Sequence, residues 1–229
     1  MKLYGIGVGP GDGDLITIKA IKAIKNCSII AVPKSGDNEK VALKIAKNAI
    51  EDFDKQVVEI NMPMTRDKDL LNKSHNEAAN TIIDYLKKGQ SVGFLTLGDP
   101  SIYSTYTYIH KRVLDKGYEA EIIPGVPSFC AVAAKLNIPL VEGGEALHII
   151  PASYENLDDE ISLSGTKVLM KSGKSIGKVK SVLKEKNMEA KMVQKCGMEG
   201  ERIYKSLDEI DEKSSYFSIV VVKDVKNND

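Results

Sequence analysis

Three short turns of glycine, proline and aspartate are the places where this chain could do chemistry: Gly9-Pro-Gly-Asp12, Gly98-Asp-Pro100 and Pro124-Gly-Val-Pro-Ser128. Each follows an apolar run of strand type, residues 3–8, 91–96 and 119–123. In an open α/β sheet, ligands bind at the loops just past the C-terminal ends of strands. The first turn carries a carboxylate, Asp12, and no cation, so it suits a ligand with a positive centre better than a phosphate. A tight strand–helix turn without a ligand is the plain alternative. The turn is not a P-loop, because no Lys-Ser or Lys-Thr pair follows its glycines. It is not a dinucleotide fingerprint either. The sixth position counted from Gly5 is Pro10, and from Gly7 it is Asp12.

Other chemistries find no support. There is no Ser-His-Asp order and no close carboxylate pair. His75, His110 and His148 share no metal-ligand spacing, so no protein-bound metal is expected. His148 lies in an apolar run and reads as a core residue, whereas His110 could face solvent. Basic and acidic side chains balance at 32 each among 229 residues, so no global field favours nucleic acid or an anionic membrane. Cys27, Cys130 and Cys196 are far apart and read as reduced thiols of a cytosolic protein. No apolar run approaches the roughly 20 residues that cross a bilayer. Met1 leads directly into the first strand, so no signal peptide is expected.

The elements that position the turns alternate strand and helix, which predicts an α/β chain with mainly parallel sheets. Helices are predicted over about 14–24 with Asp14 as N-cap, 38–52, 70–88, 101–116 and 129–136, with one further helix ending near 186. Strands are predicted at 27–32, 56–60, 147–151, 167–171, 190–195, 202–206 and 217–223. The short strands of the second half, around Arg202 especially, could pair antiparallel. A domain boundary is expected near 120, giving domains 1–120 and 121–229, with residues 124–128 as the crossing. In the helix expected from Ser101, Tyr103 and Tyr106 are three apart and share a face. They could line a flat ring, or pack as ordinary core. Asp99 either caps that helix or touches a ligand, and both roles can hold. Arg66, Lys19, Lys171 and Lys174 are candidate cations for an acidic ligand, with Arg66 first because arginine binds carboxylate bidentately.

Taken together, the order and spacing of the three turns resemble the tetrapyrrole methylase family over nearly the whole chain. Residues 98–108, 138–143 and 168–171 look like the branch that methylates carbon 20 of precorrin-2 or its cobalt form. The resemblance implies two α/β domains with an active-site cleft between them, a homodimer, and S-adenosylmethionine as the cofactor, with S-adenosylhomocysteine as product. It implies cofactor contacts at Pro10, Gly98, Asp99, Pro100, Ile102, Tyr103, Ser104 and Thr105. It implies further contacts at Ser128, Phe129, Met170, Lys171, Cys196, Gly197, Phe217 and Ser218. Lys171 departs from a Tyr-Met pair carried by many relatives, which weakens a methionine-type contact there. Asp12, Arg66 and Tyr106 are the expected substrate contacts, and Asp99 and Tyr103 the candidates to help remove the carbon-20 proton. Any cobalt would arrive within the substrate. Methylation of another ring carbon, of RNA or protein, and a non-catalytic tetrapyrrole- or nucleotide-binding module are the competing functions.

Overall fold

The computed structural model describes residues 1–34, 40–152 and 157–224, the side chain of Lys174 excepted. The expected start of the second helix, at 38–39, and the Lys174 side chain thus lie outside the described residues. The chain divides into two compact units, Met1–Pro127 and Ser128–Asp229.

The first unit runs β1 (Leu3–Gly7), α1 (Ile18–Asn26), β2 (Ile29–Lys34), α2 (Val41–Ala49), β3 (Gln56–Asn61), α3 (Lys68–Lys87), β4 (Val92–Thr96), α4 (Tyr106–Asp115) and β5 (Ala120–Ile123). Its five strands are all parallel, in the order β3-β2-β4-β1-β5. Strand β5 is hydrogen bonded to β1, so the division falls after Pro127 and not at 120. Period-2 alternation splits the core into two layers. Leu3 and Phe94 pack with Ile82, Ile109 and Val113 of α3 and α4. Ile6, Val8 and Leu95 pack with Ala20, Ile24 and Ile45 of α1 and α2. Burying one such side chain contributes about 1.5–3 kcal/mol. The chain therefore leaves β1 toward one face and its neighbour β4 toward the other, which opens the sheet's carboxyl edge between them.

Two helix starts differ from expectation. Asp14 does not cap α1. It lies in a 3-10 turn, Gly13–Leu15, capped by Asp12 Oδ1, which accepts from Asp14 N at 3.0 Å. Ile16 is extended, and Thr17 becomes the cap, accepting from Ala20 N at 3.1 Å. Helix α4 begins at Tyr106 and not near Ser101, because residues 101–105 form a turn with Tyr103 at φ 47°.

Tyr106 is fully buried beneath β1. Its hydroxyl donates to Glu121 O at 3.3 Å and lies 2.9 Å from His110 Nδ1, so His110 is engaged and half-buried rather than turned to solvent. Position 5 is glycine because any Cβ there would run into the Tyr106 ring. Burial pushes the Tyr106 phenol above its ordinary value.

The second unit runs α5 (Ser128–Leu136), β6 (Leu147–Pro151), α6 (Leu157–Ile161), β7 (Thr166–Met170), α7 (Ile176–Glu185), β8 (Glu189–Gln194), β9 (Arg202–Tyr204) and β10 (Ser218–Lys223). Its sheet, β6-β7-β10-β8-β9, is mixed. Only β6 and β7 pair in parallel, while β10 runs antiparallel to both β7 and β8, and β9 antiparallel to β8. The expectation of parallel strands thus holds in the first unit and gives way in the second, where β10 enters between two strands that both run opposite to it, and where the strand at Arg202 pairs antiparallel as its shortness allowed. Helix α6 has no counterpart in the sequence reading. The core gathers Ile150, Leu169, Val179, Leu183, Met192 and Val220. His148 stands at its rim, half-buried, with Nε2 donating to Ser164 O at 2.9 Å.

The fit of Tyr106 under Gly5 makes a direct prediction. Gly5→Ala should cost about 1–3 kcal/mol by overpacking, read as a lowered Tm. Because the two residues touch, adding Tyr106→Leu should give less than the sum of the single effects; additive losses would show that they are not coupled.

Candidate active site

All three turns meet at the carboxyl edge of the first sheet. Gly98 N donates to Gly9 O at 2.8 Å, and Gly9 N to Gly98 O at 3.3 Å, which locks the first turn to the second. Asp99 locks the second to the third. Its Oδ2 accepts from Gly125 N at 2.9 Å, while Oδ1 accepts from Ser101 N at 2.8 Å and from the Ser101 hydroxyl. Asp99 is buried, so these donors replace the water it has lost. Thr17 adds a further tie, donating to Pro124 O at 3.3 Å. The backbones approach so closely that side chains are shut out. A Cβ on Gly7 would stand 2.6 Å from Gly98 O and 2.7 Å from Gly125 N, and one on Gly125 would stand 2.8 Å from Gly7 C. Gly125 belongs to the third turn named from the sequence, but Gly7 and Thr17 escaped the sequence reading as parts of this junction, although the glycines at 5, 7 and 9 mark a backbone that something must approach.

The segment after Asp99 is held as a wall. Pro100 is buried, Ile102 and Ser104 are half-buried, and Tyr103 and Thr105 are exposed. Ser104 Oγ lies 2.9 Å from Thr96 Oγ1 and accepts from Tyr106 N at 3.2 Å, which anchors the start of α4 to the end of β4. Tyr103 holds a positive φ with 43% of its surface exposed. A tyrosine in that region is strained, and such strain clusters at functional sites. Pro10 is buried at the first turn, while Asp12 is exposed and serves as the cap already described. Arg66 is exposed in the loop before α3. Lys19 pairs with Glu121 at 3.2 Å. Tyr106 cannot contact a substrate, because it is fully buried in the core.

In the second unit the candidate residues gather at one end of its sheet. Met170 ends β7, Gln194 ends β8 and Ser218 begins β10. Lys195 N donates to Phe217 O at 2.7 Å, and Ser218 Oγ donates to Ser215 O at 2.8 Å. Gly173 lies so near residues 215–216 that a Cβ would be 2.8 Å from Ser215 O. Gly197 N donates to Glu201 Oε2 at 2.7 Å, and the other carboxylate oxygen of Glu201 pairs with Lys135 of α5 at 3.0 Å. This fixes the turn around Cys196 and Gly197 to the helix that opens with Ser128 and Phe129. Phe129, Cys196 and Ser218 are buried; Ser128, Met170, Lys171 and Phe217 are half-buried; Gly197 is exposed. Nothing in the sequence pointed to Glu201.

The sequence model of the tetrapyrrole (corrin/porphyrin) methylases matches residues 2–211. The chain belongs to that family. A probable cobalt-precorrin-2 C(20)-methyltransferase of Methanocaldococcus jannaschii is 37% identical over 98% of this chain and 97% of its own. The cobalt-precorrin-2 C(20)-methyltransferase of Salmonella typhimurium is 30% identical over 96% and 95%. Among solved structures, a cobalt precorrin-4 methyltransferase superposes with a TM-score of 0.77 at 22% identity, covering 97% of this chain and 94% of that one. A uroporphyrin-III C-methyltransferase from Thermus thermophilus, complexed with S-adenyl homocysteine, gives 0.73 at 18% identity, covering 98% of each. Among the described residues, no helix of this methylase is long and apolar enough to cross a membrane, and no three His, Cys, Asp or Glu side chains are placed to hold a metal ion.

Charge around the junction is one-sided. Residues 7–15, 98–108 and 123–129 contain no lysine or arginine, but they contain Asp12, Asp14, Asp99 and several hydroxyls. A phosphate would be repelled there, whereas a cation is favoured. In the second unit, burial holds the Lys171 ammonium below its ordinary value of 10.5.

Two predictions come from these geometries. Asp99→Asn can place only one carbonyl oxygen, so it must release either Ser101 or Gly125. A loss of about 1–3 kcal/mol should follow, with faster hydrogen exchange at Gly125 N; unchanged exchange would mean that the strut carries no strain-bearing load. For Lys171, the folded state binds fewer protons than the unfolded chain between its lowered pKa and 10.5. Stability should therefore rise with pH through that window. Lys171→Met should raise Tm at neutral pH and flatten the rise, and a lower Tm with an unchanged pH profile would refute the assignment.

Proposed function

We propose that this tetrapyrrole methylase transfers a methyl group from S-adenosylmethionine to carbon 20 of precorrin-2 or cobalt-precorrin-2, in cobalamin biosynthesis. The observation that carries the reading is the convergence of three cation-free turns at the edge of one parallel sheet. The relatives' names supply the acceptor. S-adenosylmethionine supplies an already activated methyl on a sulfonium and leaves as the thioether S-adenosylhomocysteine. The residues present fit such a group: carboxylates, carbonyls and hydroxyls surround the junction, and no basic side chain in it opposes the positive sulfur.

The protein's part is then positioning. A displacement of this kind needs donor and acceptor carbons held in line, about 3–3.5 Å apart, and no covalent nucleophile. Gly98, Pro100, Ile102, Ser104 and Thr105 form the wall beside the donor, with Pro10 on the neighbouring turn. Both Asp99 oxygens are taken by three donors, so we assign Asp99 to holding the turns and not to taking a proton. When the carbon–methyl bond forms, carbon 20 must lose its proton. Tyr103, exposed and held at positive φ, is the protein group proposed to assist, with water or a substrate carboxylate as the other route. Asp12 and Arg66 remain proposed acceptor contacts. Ser128, Phe129, Met170, Lys171, Cys196, Gly197, Phe217 and Ser218 are proposed cofactor contacts on the family's pattern. A homodimer, a cytoplasmic location and action without nucleic acid belong to the same proposal.

The test is turnover. The protein, labelled S-adenosylmethionine and either metal-free or cobalt-loaded precorrin-2 should yield a product in which a methyl group has replaced one proton, a net gain of one CH2 unit in mass, with the label at carbon 20. Tyr103→Phe should lower kcat more than it raises either KM. Cofactor binding without turnover on any tetrapyrrole would leave only a binding module, and label on another ring carbon would reassign the reaction.

A further inference from the structure

The second sheet carries the opposite charge at the end where its own candidate residues gather. Strands β7 and β8 both run antiparallel to β10, so they are parallel to each other and both finish where β10 begins. Lys171 follows the last residue of β7, and Lys195 the last residue of β8. Ser218, the first residue of β10, pairs with Gln194, and Lys195 N donates to Phe217 O at 2.7 Å. One strand thus separates the two lysines, and two strand spacings place their backbones about 10 Å apart. Residues 170–178 and 190–198 contain Lys171, Lys174, Lys178, Lys191 and Lys195 and no aspartate or glutamate. The acids nearby are placed elsewhere. Glu201 is taken up by Gly197 N and Lys135, Glu212 lies against Gly177, and neither pairs with Lys195 among the described residues.

Both lysines hold the left-handed backbone, Lys171 at φ 56° and Lys195 at φ 51°. A residue with a Cβ is strained there, and glycine would relieve the cost. Two strand ends of one sheet carry that cost with the same residue type, each one position past the strand. Both lysines are half-buried. The Lys195 side chain lies over Gly200, its Nζ 3.6 Å from where a Cβ on Gly200 would stand. Burial holds the Lys171 ammonium below its ordinary value. A cation that has lost water gains most from a charge-assisted bond to an anion.

We propose that Lys171 and Lys195 bind two carboxylates of the acceptor's rim, one on either side of the start of β10. The proposal deepens the reading above and rests on it for the class of acceptor. The lysines adjoin Met170, Cys196 and Gly197, which that reading gives to the cofactor, so carboxylates held by their ammonium groups stay beside the donor. The cofactor itself suits the pair less well. It carries one carboxylate against an ammonium and a sulfonium, and its net positive charge is repelled by lysines without acids. A polycarboxylate spreads several anions around a ring, and two cations about 10 Å apart can meet it at separate points. The junction of the first unit, with carboxylates and no cations, offers nothing to such a rim.

Replacing lysine by methionine keeps the stem and the backbone strain and removes the charge. Lys171→Met and Lys195→Met should each raise KM for the tetrapyrrole about tenfold, the loss of one charge-assisted bond, with kcat and KM for S-adenosylmethionine unchanged. Uroporphyrin is a stable polycarboxylate whose binding can be followed by its fluorescence polarisation. It should bind the wild type less tightly as salt is added, and the double methionine variant weakly at every salt concentration. A purely structural role predicts a changed Tm with acceptor KM and salt dependence unaltered, and that result would overturn the proposal. A rise in KM for S-adenosylmethionine alone would also overturn it, by giving the lysines to the cofactor's carboxylate. If the wild type turns over no tetrapyrrole, the methyltransferase reading fails, and uroporphyrin binding still judges the pair.

Discussion

One carboxylate holds the candidate site together. Asp99 sits where β4 gives out, and it spends one oxygen on its own turn and the other on Gly125 N. A second tie, from the Thr17 hydroxyl to Pro124 O, joins the third turn to the start of α1. A buried carboxylate is stable only when its lone pairs are filled, and here the donors come from two separate loops. The requirement to satisfy Asp99 is thus what forces the loops together. The glycines at 7 and 125 follow from that requirement, since the distances it imposes leave no room for Cβ atoms, and Gly98 turns the chain there at φ 69°.

The sheet makes this possible. Loops from β1, β4 and β5 can meet only because those strands are neighbours, with β1 in the middle. Adjacent parallel strands lie about 4.8 Å apart, so loops leaving their ends fall within hydrogen-bond reach. The helices that follow β1 and β4 depart to opposite faces, so neither covers the junction. Tyr106 anchors the exit of β4 from below. It passes under β1 at Gly5 and reaches β5 through Glu121 O, so the same three strands are tied beneath the loops as well as above.

Much of this was legible from residue types. Apolar runs ending in Gly-Pro-Gly-Asp, Gly-Asp-Pro and Pro-Gly-Val-Pro marked the strands, the turns and their parallel arrangement. The start of α4 was not legible. The tyrosines at 103, 106 and 108 keep a helical rhythm, and nothing in it shows that Asp99 takes the Ser101 N–H and holds a separate turn. The misplaced start put Tyr106 on one face with Tyr103, whereas the structure buries Tyr106 and leaves Tyr103 and Tyr108 exposed. The cap of α1 was misread for a similar reason: Asp14 is a good cap by type, yet Asp12 claims its N–H first. Strand order in the second unit depends on where β10 inserts, which no local pattern encodes.

The loop junction carries carboxylates and no cations, which suits a sulfonium. It is rooted in the segment that runs from β4 through Asp99 and Tyr103 into α4. Ser104 pins that segment to Thr96, and Tyr106 pins it to β1 and β5. Its geometry is therefore set by the core and not by mobile side chains. Rigidity of this kind is what positional control of a methyl transfer needs, because misplacement by an ångström costs about a hundredfold in rate.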